Sequence, residues 1–304
     1  MLVYDRREGQ FLLAHVVITG ATGLVGRRVA RALAPLPDWR ITPVDRSLGH
    51  DVTQPSWWRD VPALSERADV VLHLAGRTFV PDSWKHPALF YENVTMATHV
   101  LEFCRETGAR LVHVSAYLYG RPAYLPIDEL HPVTPDNPYA LSKHLAEQLC
   151  TFYANHFGVT VAIVRPFNLY GPDQDDRFLI PTIVKQALAG GRVTLKDTRP
   201  KRDYLYIDDF VNALQCMLGS NADGGGADVF NVGSGQSVSV GAIAEEVGRA
   251  CGRDLEIVDL EERRQNEIDD CVADTRRFRA RYDWKPRWTL ARGIKEIVTW
   301  PIGF

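Results

Sequence analysis

His15 to Thr19 (HVVIT) is a short apolar run rich in β-branched residues, and Gly20-Ala-Thr-Gly23-Leu-Val-Gly26 follows it at once. From Arg27 to Leu33 the text reads as a helix. A strand, a glycine turn and a helix start, in that order, leave few folds open. Glycines let the backbone come close to a ligand. The helix N-terminus adds free N–H groups and the positive end of a dipole, so the turn suits a phosphate. The spacing is GxxGxxG rather than the commoner GxGxxG, and a plain tight turn has the same text.

The next stretches repeat the pattern. Ile41 to Val44 is a strand run that ends in Asp45. Ala68 to Leu74 (ADVVLHL) reads as a buried strand closing on Ala75-Gly76, helical text runs from Pro87 to Thr107, and Arg110 to Ser115 (RLVHVS) is another strand. Strands alternating with helices of this length predict an α/β fold with a Rossmann-type doubly wound parallel sheet. Such sheets bind ligands outside the carboxyl ends of their strands, and Ser115 falls at such an end.

Asp45 stands at the distance after the glycines where a carboxylate meets the ribose hydroxyls of a dinucleotide. An acid there repels a 2′-phosphate and points to NAD. Arg27 and Arg46 lie close enough in sequence to accommodate NADP, and a simple strand-end acid is the bland alternative. Asp51-Val52 follows where a side-chain oxygen can meet an adenine amino group, or where a solvated loop acid would also sit.

A second feature is Asn137-Pro138-Tyr139-Ala140-Leu141-Ser142-Lys143. Pro138 suits the first helical position, where its missing N–H costs nothing. Tyr139 and Lys143 then share one helix face, one turn apart. An ammonium beside a phenol favours the phenolate and lowers its pKa. A base of that kind can take a proton from a hydroxyl as hydride leaves the same carbon. Ordinary surface helices carry the same spacing.

Composition narrows the partners. A net charge of −3 gives no reason to expect nucleic acid or an anionic membrane. No run approaches the roughly 18 apolar residues of a membrane span. Asp5, Arg6, Arg7 and Glu8 precede any apolar run, unlike a secretory signal, and residues 1–10 read as a ragged polar extension. The five cysteines lack CxxC spacing and the histidines are scattered, so reduced thiols, a cytoplasmic protein and no metal are expected.

Together these pieces resemble the extended short-chain dehydrogenase/reductases that act on nucleotide sugars. The matching motifs are Gly20 to Gly26 (GATGLVG), Asp45, His73 to Gly76 (HLAG), Ser115 to Gly120 (SAYLYG) and Pro138 to Lys143 (PYALSK). Arg165 to Pro172 (RPFNLYGP), Arg202 to Asp209 (RDYLYIDD) and Val272 to Asp274 (VAD) continue the order.

The resemblance implies catalytic roles for Ser115, Tyr139 and Lys143: hydroxyl donor, acid/base, and the lysine that holds the nicotinamide ribose. It implies that Gly20, Thr22, Gly23, Leu24, Val25 and Gly26 cradle the dinucleotide. Asp45, Arg46, Asp51 and Val52 would meet its adenosine half. Leu74, Ala75, Gly76 and Pro166, with Tyr139 and Lys143, would complete that site. For the substrate it implies Asn168 and Arg202 on the diphosphate and a second arginine at Arg263, with Arg264 one residue away. Thr78 faces the sugar with Phe79, Ser83 and Trp84 as pocket wall, or these pack a loop. The dehydratases of the family carry Asp-Glu directly after the Ser/Thr, whereas this chain has Ala116-Tyr117, so 4,6-dehydration is not expected.

Domains are expected at 11–167 with about 203–232 for NAD binding, and at 168–202 with 233–304 for a smaller α/β substrate-binding lobe. In detail, Val159 to Arg165 is a strand and Leu179 to Ala189 an amphipathic helix. Tyr204 to Ile207 returns to the main sheet, with Asp208-Asp209 opening a helix as its N-cap and dipole partner, both structural acids. Gly224-Gly225-Gly226 is a surface loop, Asp228 to Gly233 a strand, Ser239 to Cys251 a capped helix, and Leu290 to Trp300 a closing helix. The activity implied is an NAD-dependent 4-epimerase of a nucleoside-diphosphate hexose. A 4-ketoreductase using NADPH or NADH is the alternative, and a cofactor-sensing regulator without turnover a third. Family habit implies a homodimer through the helices starting near Pro87 and Pro138.

Overall fold

The computed structural model describes residues 3–4, 11–12, 14–65, 67–220, 226–263 and 267–300. Thirteen strands and ten α-helices are found among them, in two compact units. The first unit comprises Met1–Leu118, Val133–Arg165 and Val211–Phe230. The second comprises Tyr119–Pro132, Pro166–Phe210 and Asn231–Phe304.

The first unit opens with β1 (Val3–Tyr4) paired antiparallel to β2 (Phe11–Leu12), where only a ragged end is expected. The rest of residues 1–10 lies outside the described residues. Then come β3 (Ala14–Thr19), α1 (Leu24–Leu33), β4 (Trp39–Val44), β5 (Val70–His73), α2 (Val80–Lys85), α3 (Pro87–Phe90), α4 (Glu92–Thr107), β6 (Arg110–Val114), α5 (Pro138–Phe157) and β7 (Val161–Pro166). The expected helix from Pro87 to Thr107 is thus two helices parted at Tyr91.

The six-stranded sheet has the order β11-β7-β6-β5-β3-β4, where β11 is Ala227–Val232. Pairings β3–β4, β3–β5, β5–β6 and β6–β7 are all parallel, as the alternation predicts. From β3 the chain goes to β4 on one side and then back to β5 on the other. That reversal is the switch point of a doubly wound sheet, and it opens a crevice at the carboxyl ends of β3 and β5. Val17, Val71, Leu111 and Ile163 pack under Val100 and Leu101 of α4 and Cys150 and Ala154 of α5 in one core. All five cysteines are free.

The second unit holds β8 (Asn168–Tyr170), α6 (Leu179–Gly190), β9 (Arg192–Leu195), β10 (Lys201–Tyr206), β12 (Ser237–Ser239), α8 (Val240–Cys251), β13 (Glu256–Asp259), α9 (Arg276–Tyr282) and α10 (Leu290–Thr299). Helix α7 (Ile207–Gly219) follows β10 directly. Ser239 caps α8 as expected, accepting from Ala242 N at 3.1 Å.

Two expectations are corrected. Strand β10 does not return to the main sheet; it is the middle of a separate sheet, β12-β10-β8. Its Arg202 and Asp203 pair in register with β12, which holds it there. Asp208 and Asp209 stand in the first turn of α7, as dipole partners should, but inside the helix rather than at its cap. The Asp209 carboxylate accepts from Arg287 N and Trp288 N, at 2.9 to 3.0 Å, and so ties down the loop before α10. Of the glycine loop, Gly224 and Gly225 lie outside the described residues.

Candidate active site

Gly20 sits at φ +71 directly after β3, in the left-handed region that favours glycine. A Cβ there would lie 2.7 Å from Ala75 N, so the loops after β3 and β5 touch back to back. A Cβ at Gly26 would lie 2.2 Å from the Gly20 carbonyl oxygen. The turn therefore closes only with glycine at both places. Gly23 is the N-cap of α1, with no side-chain cap bond and no acid in the first turn. Thr22 is exposed, Leu24 and Val25 half-buried. A helix start that no side chain satisfies is suited to an anion.

Asp45 joins this turn. Its carboxylate accepts from Thr22 N at 3.4 Å, Ser47 N at 2.9 Å and Ser47 Oγ at 2.8 Å. Burial opposes its charge, but the bonds from Ser47 and Thr22 outweigh burial and hold the carboxyl below its ordinary range. Arg46 turns to Asp51 at 3.2 Å. Asp51 also accepts from Thr53 N and Oγ1. Burial opposes its charge too, and the Thr53 bonds and the Arg46 charge bring its carboxyl down. Val52 is buried, and its carbonyl accepts from His99 Nδ1 at 2.9 Å.

Asn137 caps α5 by accepting from Ala140 N at 2.9 Å, and Pro138 takes the first turn. This sets the helix start against the end of β6. Ala116, Ala140 and Tyr139 share one apolar cluster. Lys143 Nζ donates to the Val114 carbonyl at 2.8 Å. Ser115 is anchored by its N–H on the Val164 carbonyl at 2.7 Å, while its Oγ is buried without a partner among the described residues. A Cβ at Gly76 would lie 3.6 Å from Lys143 Nζ. Ser115, Tyr139 and Lys143 are thus brought together with the β5 loop.

The expected electrostatics are corrected. Burial pushes the Tyr139 phenol above its ordinary range, and the Lys143 charge does not offset it. Burial also brings Lys143 down, from an ordinary 10.5 to about 8, against the charge of Glu147, which holds it up. Below about pH 8 folding must bury an ammonium. That cost fades as pH rises toward the unfolded value of 10.5. Lys143→Met removes the cost and also one bond to a buried carbonyl. The net is a stabilisation of about 2 kcal/mol at pH 7. Urea unfolding of both proteins at pH 7 and pH 10 checks this: the advantage of Lys143→Met should shrink at the higher pH.

Residues to which the motifs gave no role lie around these three. Asn93, buried on α4, accepts from Arg77 N at 2.8 Å and donates to Ser142 Oγ at 3.0 Å. A polar residue on an otherwise apolar helix face was its only signal. His73 accepts from or donates to Thr19 Oγ1 at 2.7 Å, and its ring lies 5.3 Å from that of His113. Burial, then the Lys143 charge, bring His73 to about 3, so this pair stays neutral beside the lysine. Glu147 forms a buried pair with Arg165, and only its spacing, four after Lys143, pointed to it.

In the segment after β5, Thr78 is exposed and Trp84 is 64% exposed, while Phe79 is half-buried. Ser83 is fully buried and donates to the Val80 carbonyl, so its hydroxyl serves its own helix.

In the second unit, Pro166 is buried at the end of β7. Asn168 Nδ2 donates to the Asp203 carbonyl at 3.1 Å, and Asn168 pairs in register with Tyr204 of β10. Arg202 pairs with Glu267 at 2.5 Å. Arg263 pairs with Asp269, whose carbonyl accepts from Lys201 N at 2.9 Å. Both guanidinium groups expected on a phosphate hold carboxylates here. Arg264 lies outside the described residues.

Residues 16–233 match the model of the NAD dependent epimerase/dehydratase family. The chain belongs to that family. It is 31% identical over 302 residues to the GDP-6-deoxy-D-mannose reductase of Pseudomonas aeruginosa, covering 93% of this chain and 95% of the relative. It is also 31% identical over 246 residues to the UDP-glucose 4-epimerase of Lactobacillus helveticus, covering 73% of each. The solved structure of RMD from Pseudomonas aeruginosa complexed with NADPH superposes with a TM-score of 0.85, covering 94% of this chain and 98% of that one.

The family's chemistry is redox chemistry on nucleotide sugars with NAD or NADP, and this chain's residues fit the cofactor. The Gly20/Gly26 turn leaves no room for a side chain, the start of α1 is uncapped, and the Asp45 carboxylate is held charged beside it. The buried Ser115 Oγ has its bonding capacity to spare. Among the described residues no helix is long and apolar enough to cross a membrane.

Proposed function

We propose that the protein is an NAD-dependent 4-epimerase of a nucleoside-diphosphate hexose. The observation that carries the choice of NAD is Asp45. Its charge is fixed at the glycine turn by Thr22 and Ser47, which disfavours a 2′-phosphate. The glycine turn and α1 hold the pyrophosphate, Asp45 the adenosine ribose, and Lys143 the nicotinamide ribose. Bound there, the dinucleotide supplies hydride acceptance and return at C4 of the sugar.

The remaining work falls to this chain's side chains. Tyr139 takes the proton of the C4 hydroxyl and gives it back. Ser115 donates to the same oxygen, where charge gathers as the 4-ketone forms. In the second unit, Asn168, Arg202 and Arg263 are the proposed diphosphate contacts, a guanidinium being always charged and able to donate two parallel bonds. Ala116 and Tyr117 supply no acid/base pair for expelling water.

The test is the dinucleotide released on denaturing the purified protein, identified and quantified by mass spectrometry. Near-stoichiometric NAD is expected, with turnover that consumes no net cofactor. The likeness to the Pseudomonas aeruginosa reductase over 93% of this chain supports a second reading, a 4-ketoreductase. An empty protein, stabilised against heat more by NADPH than by NAD, decides for that reading and against the epimerase.

We also propose a homodimer through α4 and α5. They pack side by side, and α5 leaves Leu141, Phe152 and Phe157 exposed by 38%, 50% and 51%. Sedimentation velocity at micromolar concentration should show a dimer; a monomer refutes the pairing.

A further inference from the structure

The strongest unassigned feature is the hold on Arg202. A guanidinium has five N–H donors and no acceptor. Here Nη1 donates to the Lys201 carbonyl at 2.8 Å and to the Ile268 carbonyl at 2.6 Å, and Nη2 donates to Glu267 Oε1 at 2.5 Å. Three of the five donors are thereby fixed. The Nε donor and one on Nη2 have no partner among the described residues. The Arg202 side chain is 20% exposed and that of Glu267 only 9%. The carboxylate is therefore set into the protein, and the arginine keeps a way out to solvent.

The Glu267 backbone is held independently of Arg202. Arg121 Nη2 donates to the Glu267 carbonyl at 3.4 Å. Two residues on, the Asp269 carbonyl accepts from Lys201 N at 2.9 Å, and the Asp269 carboxylate pairs with Arg263. Residues 267–269 thus lie along β10, and removing the Glu267 side chain leaves these bonds in place. A carboxylate buried on a fixed strap against one guanidinium restricts where that guanidinium points. It also removes the rotamer freedom the arginine would otherwise lose on binding.

We infer that Glu267 is a positioning residue: it pins the Arg202 guanidinium so that its two remaining donors hold the diphosphate of a nucleotide sugar. The inference rests on the reading of Arg202 as a diphosphate contact. It opposes the simplest alternative, that Glu267 is a competing anion which the diphosphate must displace. The two predict opposite signs. A positioning carboxylate makes binding weaker when removed, whereas a competitor makes it tighter.

The experiment is calorimetric titration of the full-length protein with UDP, GDP, dTDP, CDP and ADP, and with the nucleoside of whichever binds most tightly. It is repeated for Arg202→Ala, Glu267→Ala and the double variant. Glu267→Ala should weaken the chosen diphosphate by about tenfold, the cost of ordering one arginine side chain. It should leave nucleoside binding unchanged. Arg202→Ala should weaken the diphosphate at least as much. In the Arg202→Ala background Glu267→Ala should add nothing, a non-additivity that a merely structural ion pair does not produce.

If Glu267→Ala does not fold, Glu267→Asp, which keeps the charge but withdraws it from the guanidinium, should show the same direction of change. Unchanged or tighter binding in the Glu267 variants, with Arg202→Ala still weakened, overturns the inference and leaves the reading of Arg202 intact. If no diphosphate binds the wild type, or Arg202→Ala binds as tightly as wild type, the reading of Arg202 falls and the inference with it.

Discussion

Tyr139→Phe is expected to lower turnover by about 10³-fold while leaving dinucleotide and nucleoside-diphosphate binding within about twofold of wild type. The substitution removes one oxygen and no packing surface, so Tyr139 keeps its place beside Ala116 and Ala140. What is lost is the proposed proton carrier. Burial holds the phenol above its ordinary range, so the neutral O–H is the resting form, ready to donate. Taking a proton requires the opposite form, and substrate and cofactor must bring the phenol down before it can act as base. The rate in wild type should therefore rise with pH until Lys143 loses its own proton near 8. Steady-state turnover of Tyr139→Phe on the substrate identified by screening checks the magnitude. A loss of less than tenfold removes Tyr139 from the acid/base role.

The fold was legible in the sequence because its signals are local. The inner strands of the main sheet are short, mostly apolar runs such as VVLH or RLVHV, and the glycines at 20 and 26 answer to a steric limit. Helix starts were readable from Pro138 at a first helical position and from the capping Ser239. What stayed hidden depends on partners far along the chain. Strand β10 has the text of a main-sheet strand, but its register with β12 places it elsewhere, and alternation does not encode a strand's neighbour. The family motif brought out Ser115, Tyr139 and Lys143 without giving the charge balance among them. That balance turns on desolvation, which no spacing shows. The arginines at 202 and 263 read as free cations until the chain laid Glu267 and Asp269 against them.

Glu147→Ala should cost about 3–5 kcal/mol of stability, the usual result of stripping one partner from a buried ion pair. Arg165 Nε donates to Glu147 Oε1 at 2.9 Å and Nη2 to Oε2 at 2.5 Å, with both side chains less than a tenth exposed. The alanine takes from the interior guanidinium the carboxylate that pairs with it. Replacing both partners by apolar groups, Glu147→Leu with Arg165→Met, removes the charge as well as its partner and should be close to neutral for stability. The pair therefore contributes little net stability, yet neither half can be removed alone. Its second effect runs along the helix. Glu147 follows Lys143 by one turn, and its charge supports the ammonium that burial brings down to about 8. The double variant should fold as well as wild type and still lose activity at neutral pH, because Lys143 then sheds its proton more readily. Urea midpoints for the three proteins, with turnover against pH for the double variant, test both halves. Full activity in the double variant at pH 7 would confine the pair to packing. A loss below about 1 kcal/mol in Glu147→Ala would mean that water reaches Arg165.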